Sequence, residues 1–311
     1  KDIKELPPAC FMTVSGEKTE IHKYWQITAA KHTESEAETI EHTHYLVSDA
    51  IRRQLVSDVP LCTFLSGGLD SSIISRIASD GAKSHGRRLC TYSVDYTDND
   101  KFFKESLFQP NKDSDYISLI SNYIGSKHKN IVLDNKAVAH ALEESTEARS
   151  LPGFTDVDSS LLLFCREVQR EQTVALSGEC ADEIFGGYPW YHNKDILFEE
   201  TFPWSRSIDV RQSILKPGLL KNGGEFVHEK YLETVKSASY LESDSKTERR
   251  MREMFMLNMD WFMQTLLMRK DMMSMHCSLE VRVPFCDYRI VEYAYNCLLY
   301  TSPSPRDRSV S

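Results

Sequence analysis

Apolar residues along this chain keep two rhythms. Between residues 31 and 190, short apolar runs of strand length alternate with stretches whose apolar positions recur every three or four residues. Such alternation marks strands and amphipathic helices. Strands are predicted at 61–65, 89–94, 128–133 and 174–176, and helices at 35–57, 71–79, 113–124, 136–149 and 159–169. In the 35–57 helix, Ala37, Ile40, Val47, Ile51 and Leu55 share one stripe, which predicts its buried face. Asp113 stands where a cap for the 113–124 helix belongs. Strands alternating with helices predict an α/β fold: a doubly wound parallel sheet covered on both faces. Residues 97–110, with Asp98, Asn99 and Asp100, break the rhythm and read as a loop or insertion.

Beyond Trp190 the second rhythm takes over. Residues 193–300 hold helical stretches, notably 248–268, and few strands. They predict a largely helical C-terminal part that supplies the substrate-facing side. Met251, Met254, Met256, Met259, Met263, Met268, Met272, Met273 and Met275 read as adaptable core and pocket lining rather than a metal site. Residues 1–30 read as a connector, with Pro7-Pro8, a turn at Gly16, and Tyr24 and Trp25 as anchors.

Charge and cysteines narrow the class. A length of 311 residues suits one large or two smaller domains. A net charge of −9 opposes nonspecific nucleic-acid binding, which needs a basic surface. No apolar run approaches the ~18 residues of a membrane-spanning helix. Neither a nucleic acid nor a membrane is an expected partner. The eight cysteines include no C-x-x-C pair, and several sit inside apolar runs. They read as reduced core residues of a cytosolic protein, with no zinc site. His42 and His44 flank Thr43 on a helix, share no face, and read as surface residues.

Two strands empty into Ser-Gly, and there the chemistry concentrates. The first gives Ser66-Gly67-Gly68 and then a helix start. Two glycines let backbone approach a phosphate at φ > 0. The helix N-terminus adds N–H groups and about +0.5 of an elementary charge. Ser66, Ser71 and Ser72 add hydroxyls. A G-x-x-x-x-G-K-S/T loop would hold phosphates with a Lys; this loop has none and carries Asp70 instead. An acid beside phosphates predicts a metal bridge, so Asp70 is the expected Mg2+ ligand on a nucleotide polyphosphate. The plainer alternative is a Gly-Gly turn between strand and helix. The second turn, Ser177-Gly178, leads into Glu179, Asp182 and Glu183 and a Gly186-Gly187 turn. Asp182 suits an α-ammonium group. The plainer alternative for these acids, Glu183 above all, is capping a helix start. Ligands of such sheets bind beyond the carboxyl ends of the strands, which puts both turns in one site.

The spelling of these turns carries a resemblance. S-G-G-L-D-S-S at 66–72 resembles the pyrophosphate loop of ATP pyrophosphatases that activate a carbonyl by adenylation. S-G-E-C-A-D-E-I-F-G-G-Y at 177–188 is similar to the S-G-E-x-x-D-E-x-F-G-G-Y signature of asparagine synthetases. S-L-E-V-R-V-P-F-C-D at 278–287 resembles that family's S-L-E-x-R-V-P-F-x-D segment. The resemblance spans residues 1–298. It implies an adenine nucleotide alpha hydrolase-like sheet in a cytoplasmic enzyme, with a homodimer as an open possibility. It implies ATP and Mg2+ as cofactors, aspartate and ammonia as substrates, a β-aspartyl-AMP intermediate, and release of AMP and pyrophosphate. The nucleotide would meet Leu65, Ser66, Gly67, Gly68, Leu69, Asp70, Ser71, Ser72, Ser177 and Gly178. Leu65 and Val94 would offer backbone to the adenosine, while also reading as core residues at strand ends. Glu179 would govern formation of the intermediate, and Asp182 would help bind the amino acid. From its chemistry alone, Glu179 suits a metal or the proton of attacking ammonia.

Residues 31–298 would then be the synthetase domain. The connector at 1–30 would follow a glutaminase domain that draws ammonia from glutamine. The Ser-, Pro- and Arg-rich stretch 299–311 reads as a disordered, foreign tail. Glu280 and Arg282 read as an ion pair bracing their loop. One departure stands out: where the family carries a basic residue eight positions before the glutamate of the third motif, this chain has Met272, with Arg269 and Lys270 three and two residues earlier. Two alternatives share these motifs: amidation of another carboxylate by a related enzyme, and a noncatalytic nucleotide-binding remnant.

Overall fold

The computed structural model describes residues 4–102, 113–216, 218–219 and 221–297. The tail at 299–311 and most of the 97–110 loop lie outside the described residues. Five strands form one parallel sheet: β3 (Leu61–Phe64), β4 (Cys90–Tyr96), β5 (Lys127–Leu133), β6 (Val174–Leu176) and β7 (Glu280–Arg282). Their order is β5-β4-β3-β6-β7. From β3 the chain winds outward to β4 and β5, then returns to lay β6 and β7 on the other side. The direction of winding therefore reverses beside β3, which opens a crevice at the carboxyl ends of β3 and β6.

Both faces of the sheet are covered, because side chains alternate along each strand. Val174 and Leu176 enter one core with Ile74 and Ile51, while Ala175 enters a second with Cys62, Phe64, Leu162 and Cys165. Helices α1 (Glu36–Gln54) and α2 (Leu69–Ser84) cover the first face; α4 (Thr155–Gln169) helps cover the second. Between them in sequence lies α3 (Asp113–Ile124). The capping box of Ser35 and Glu38 starts α1. Its buried face is Leu46, Val47, Ala50 and Ile51. The predicted stripe holds at Val47, Ile51 and the partly buried Leu55, but Ala37 and Ile40 are exposed. The predicted helix at 136–149 is two helices, Asn135–His140 and Leu142–Arg149, which meet at Ala141.

The connector contains a hairpin that the sequence reading did not predict: β1 (Cys10–Ser15) and β2 (Lys18–Lys23), joined at Gly16. Trp25 anchors the segment just after the hairpin, donating from Nε1 to Glu292 at 2.5 Å. Tyr24 does not anchor; it closes the hairpin through its amide and its ring is exposed. His42 is half-buried, bonded to Glu34 at 3.0 Å and set against the ring of Tyr293, so only His44 is a plain surface residue.

In the helical part, short α5 (Ala181–Phe185) leads on to α6 (Lys246–Leu257) and α7 (Gln264–His276). The predicted 248–268 helix is longer and carries a π-helical turn, Asn258–Met263, between α6 and α7. Helix α8 (Tyr288–Cys297) closes the described chain. Met254, Met256, Met263 and Met273 are buried, as the core reading expects, whereas Met275 is exposed. Among the described residues, no helix is long and apolar enough to cross a membrane.

Candidate active site

The first turn forms because β3 must stop where Gly67 begins. Leu65 still belongs to the sheet, with its amide on the Tyr92 carbonyl at 2.8 Å. Gly67 then takes φ +83°. A Cβ there would lie 2.9 Å from Tyr116 Cβ and 3.0 Å from the Asp113 carbonyl, so only glycine lets the turn rest on α3. Ser66 and Ser71 close the turn, their hydroxyls 3.0 Å apart, and the Ser71 hydroxyl also accepts from the Ser66 amide. The Ser71 and Ser72 hydroxyls both donate to the Gly68 carbonyl, at 3.1 and 2.7 Å. These serines shape the loop first; a phosphate would have to compete for their protons. No side chain caps α2 at Gly68, so its first-turn amides point past the helix end toward the crevice. Ser66, Gly68 and Leu69 are exposed and Asp70 half-buried.

The second turn lies against the first. β3 and β6 are paired neighbours, with Thr63 opposite Leu176, so both chains leave the sheet side by side. The Ser177 amide is held by the Arg282 carbonyl of β7 at 2.9 Å. A Cβ on Gly178 would come within 3.0 Å of the Ser71 amide nitrogen and 3.2 Å of Asp70 Cβ. The structure therefore brings Ser66–Ser72 and Ser177–Gly178 to one place.

Glu179 reaches a pair of cations. Its Oε1 is 3.1 Å from Arg269 Nη2 and 3.0 Å from Lys270 Nζ, with all three side chains mostly buried. The Lys270 ammonium also lies over the Phe64 ring, 5.2 Å from its centre. Glu179 Oε2 and Arg269 Nε are buried with no hydrogen-bond partner among the described residues. A buried polar atom left this way is costly unless a ligand meets it. Sequence position alone assigns Arg269 and Lys270 no role. Arg269 and Lys270, set with Asp271 between Leu266-Leu267-Met268 and Met272-Met273, were the available signal, since buried cations need an anionic partner. Met272 packs against the second core instead.

The other acids separate by environment. Asp182 lies beside Gly187, where a Cβ would be 2.0 Å from Asp182 Oδ1. Glu183 does not cap the helix. It is buried, and Tyr188 Oη donates to its Oε1 at 2.5 Å. Burial pushes its carboxyl up to about 7. Leu65 is core, but Val94 is not; it is 40% exposed. β4 runs on past the end of β3, whose pairing stops at Phe64 and Tyr92, so Val94 stands uncovered at the crevice. Arg282 does pair with Glu280, at 2.6 Å, and donates to the carbonyls of Gln54 and Val56, which braces the end of α1 rather than touching the crevice.

Among the described residues no group of three or more His, Cys, Asp or Glu could hold a metal alone, so a cation here would rest on Asp70 and on a nucleotide's phosphates; α2, which no side chain caps, and the buried Glu179 Oε2 and Arg269 Nε, which have no hydrogen-bond partner among those residues, suit such a ligand.

Comparison with known proteins gives the family. The asparagine synthase family profile matches residues 42–299. "Asparagine synthetase [glutamine-hydrolyzing] 3" of Bacillus subtilis is 48% identical over 95% of this chain, and "Asparagine synthetase [glutamine-hydrolyzing] 1" of the same organism is 25% identical over 94%. The chain spans 48% and 49% of those two relatives, about half their length. With its motifs in the crevice of a parallel sheet, this chain belongs to the asparagine synthase family.

Proposed function

We propose that this chain makes asparagine from aspartate and ammonia at the expense of ATP, through β-aspartyl-AMP. The observation that carries the reading is the contact of the two Ser-Gly turns at the strand ends beside β3. The aspartate β-carboxylate oxygen attacks the α-phosphorus, the bond to the bridging oxygen breaks, and pyrophosphate leaves. Ammonia then attacks the activated carbonyl carbon and AMP departs, giving asparagine. A bare carboxylate could not do this, because oxide is too poor a leaving group.

The first-turn amides of α2, with Gly67 and Gly68, receive the pyrophosphate oxygens. Magnesium held by Asp70 supplies charge neutralisation for the phosphates when bound. Arg269 and Lys270 place positive charge beside the same turn and hold Glu179 by one oxygen. Its other oxygen, Oε2, is the buried acceptor left to take the proton that ammonia sheds. Asp182 holds the aspartate α-ammonium. Val94, exposed at the crevice, and Leu65 offer backbone to the adenosine. Ammonia reaches this site from glutamine through a glutaminase domain outside this chain.

The test is release of AMP and pyrophosphate from ATP with aspartate, comparing ammonium and glutamine as nitrogen donors. Ammonium-dependent release of both products, with asparagine formed, is expected. ATP binding without any AMP formation would show a noncatalytic remnant, and exchange of pyrophosphate driven by another carboxylate but not by aspartate would show a different amide product.

A further inference from the structure

Cys180 follows Glu179 in the second turn, and Cys286 ends the short 3-10 turn Pro284–Cys286 after β7. They lie 106 positions apart in sequence, yet their sulfurs are 2.8 Å apart, because β6 and β7 are paired neighbours. That is closer than two thiols pack and less than about 1 Å longer than a sulfur–sulfur bond. Cys180 is 2% exposed, whereas Cys286 is part-exposed, so a small solute meets Cys286 first. The contact with Cys286, and then burial, hold the Cys180 thiol well above its ordinary range. Cys286 is therefore the sulfur that attacks and Cys180 the one that resolves. The geometry of the turn adds leverage: Cys180 stands at φ +78°, a strained conformation for a residue with a Cβ, directly between Glu179 and α5.

We propose that Cys180 and Cys286 form a reversible disulfide with a hydroperoxide as oxidant, and that closing it slows adenylation by shifting the Glu179 turn. The second half rests on the asparagine-forming reading above; formation of the bond does not. The Cys286 thiolate attacks a peroxide oxygen, the O–O bond breaks, and a sulfenic acid forms with one water or alcohol. The Cys180 sulfur then displaces the sulfenic oxygen, which leaves as hydroxide and takes up the proton that Cys180 gave up. Two thiols are oxidised and one peroxide is reduced; a dithiol reverses the bond by exchange. Movement of a positioning loop by under ~1 Å reduces rates by up to about 10²-fold.

The experiment treats reduced protein with hydrogen peroxide, alkylates remaining thiols, and maps peptides by mass spectrometry. A joined pair containing Cys180 and Cys286, two hydrogens lighter than its parts and split by dithiothreitol, is expected. Aspartate- and ammonium-dependent pyrophosphate release should fall ~10- to 100-fold and return on reduction. Cys286→Ser should show neither the joined peptide nor the loss, which separates this pair from the six other cysteines. Full alkylation of both thiols after peroxide, or a joined peptide with undiminished release, overturns the proposal. A reduced protein that releases no pyrophosphate at all overturns the asparagine-forming reading instead, while the peptides still decide whether the pair forms.

Discussion

Gly178 lies so close to Ser71 that a Cβ on the glycine would stand 3.0 Å from the serine amide nitrogen. Two turns 111 positions apart (178 less 67) thus form one surface, and neither can move without the other. Parallel pairing of β3 and β6 sets this separation, since both turns leave adjacent strands in the same direction.

Gly178→Ala should therefore damage the nucleotide site more than the fold. The added methyl meets backbone and the base of the Asp70 side chain, which cannot swing away. Overpacking of this kind costs ~1–3 kcal/mol, while displacement of the phosphate-facing amides should lower pyrophosphate release by about 10²-fold. Steady-state kinetics with ATP and a urea melt separate the two effects. Wild-type turnover in the variant would mean that the turns do not share a ligand.

Gly67 offers a contrast with Gly16. Both have positive φ, +83° and +60°, but a Cβ on Gly67 strikes α3, and one on Gly16 meets nothing within 4 Å. Left-handed backbone costs a non-glycine residue ~1–2 kcal/mol, and the clash adds ~1–3 kcal/mol. Gly67→Ala should lose roughly 2–5 kcal/mol in urea unfolding, and Gly16→Ala only the smaller part. Equal losses would contradict the packing of the first turn on α3.

Four strands of the sheet were legible as short apolar runs, two of them emptying into Ser-Gly, and the turns were legible because their chemistry sits in consecutive residues. The helix expected near 113–124 spans Asp113–Ile124. β7 escaped notice: it has three residues, two of them charged, and exists only because β6 offers an edge. The β1–β2 hairpin is exposed along nearly its whole length, so no buried face imprinted an alternation on it. Val94 looked like core because strand patterns do not reveal where a neighbouring strand ends. The partners of Glu179 lie 90 positions away on α7, and only folding states that pairing.

Arg269 and Lys270, three and two residues before Met272, both meet Glu179 Oε1. Lys270→Met should leave Glu179 with Arg269 alone and lower pyrophosphate release by ~10²–10³-fold, the usual effect of losing one preorganised charge contact. Met272→Arg should not raise it, because that side chain faces the second core rather than Glu179. A clear gain from Met272→Arg, or normal turnover in Lys270→Met, would reverse this assignment.

Glu183 makes stability depend on pH. Burial raises its folded carboxyl to about 7 from an ordinary value of 4.5. Between those two values the folded state keeps a proton that the unfolded state has released. Stability is therefore complete below about 4.5 and declines as pH rises through 7, the reverse of an ion-paired acid. The full span corresponds to about 3 kcal/mol. Glu183→Gln keeps an acceptor for Tyr188 Oη but has no proton to lose. Urea unfolding from pH 4.5 to 8 should show the wild type weakening relative to the variant, with the gap opening between pH 5 and 7. Asp260, which burial raises to about 6, is present in both proteins and cancels in that difference. Parallel curves for the two proteins would place a charged Glu183 in the folded state at neutral pH, and with it a solvent or cation partner for that carboxylate.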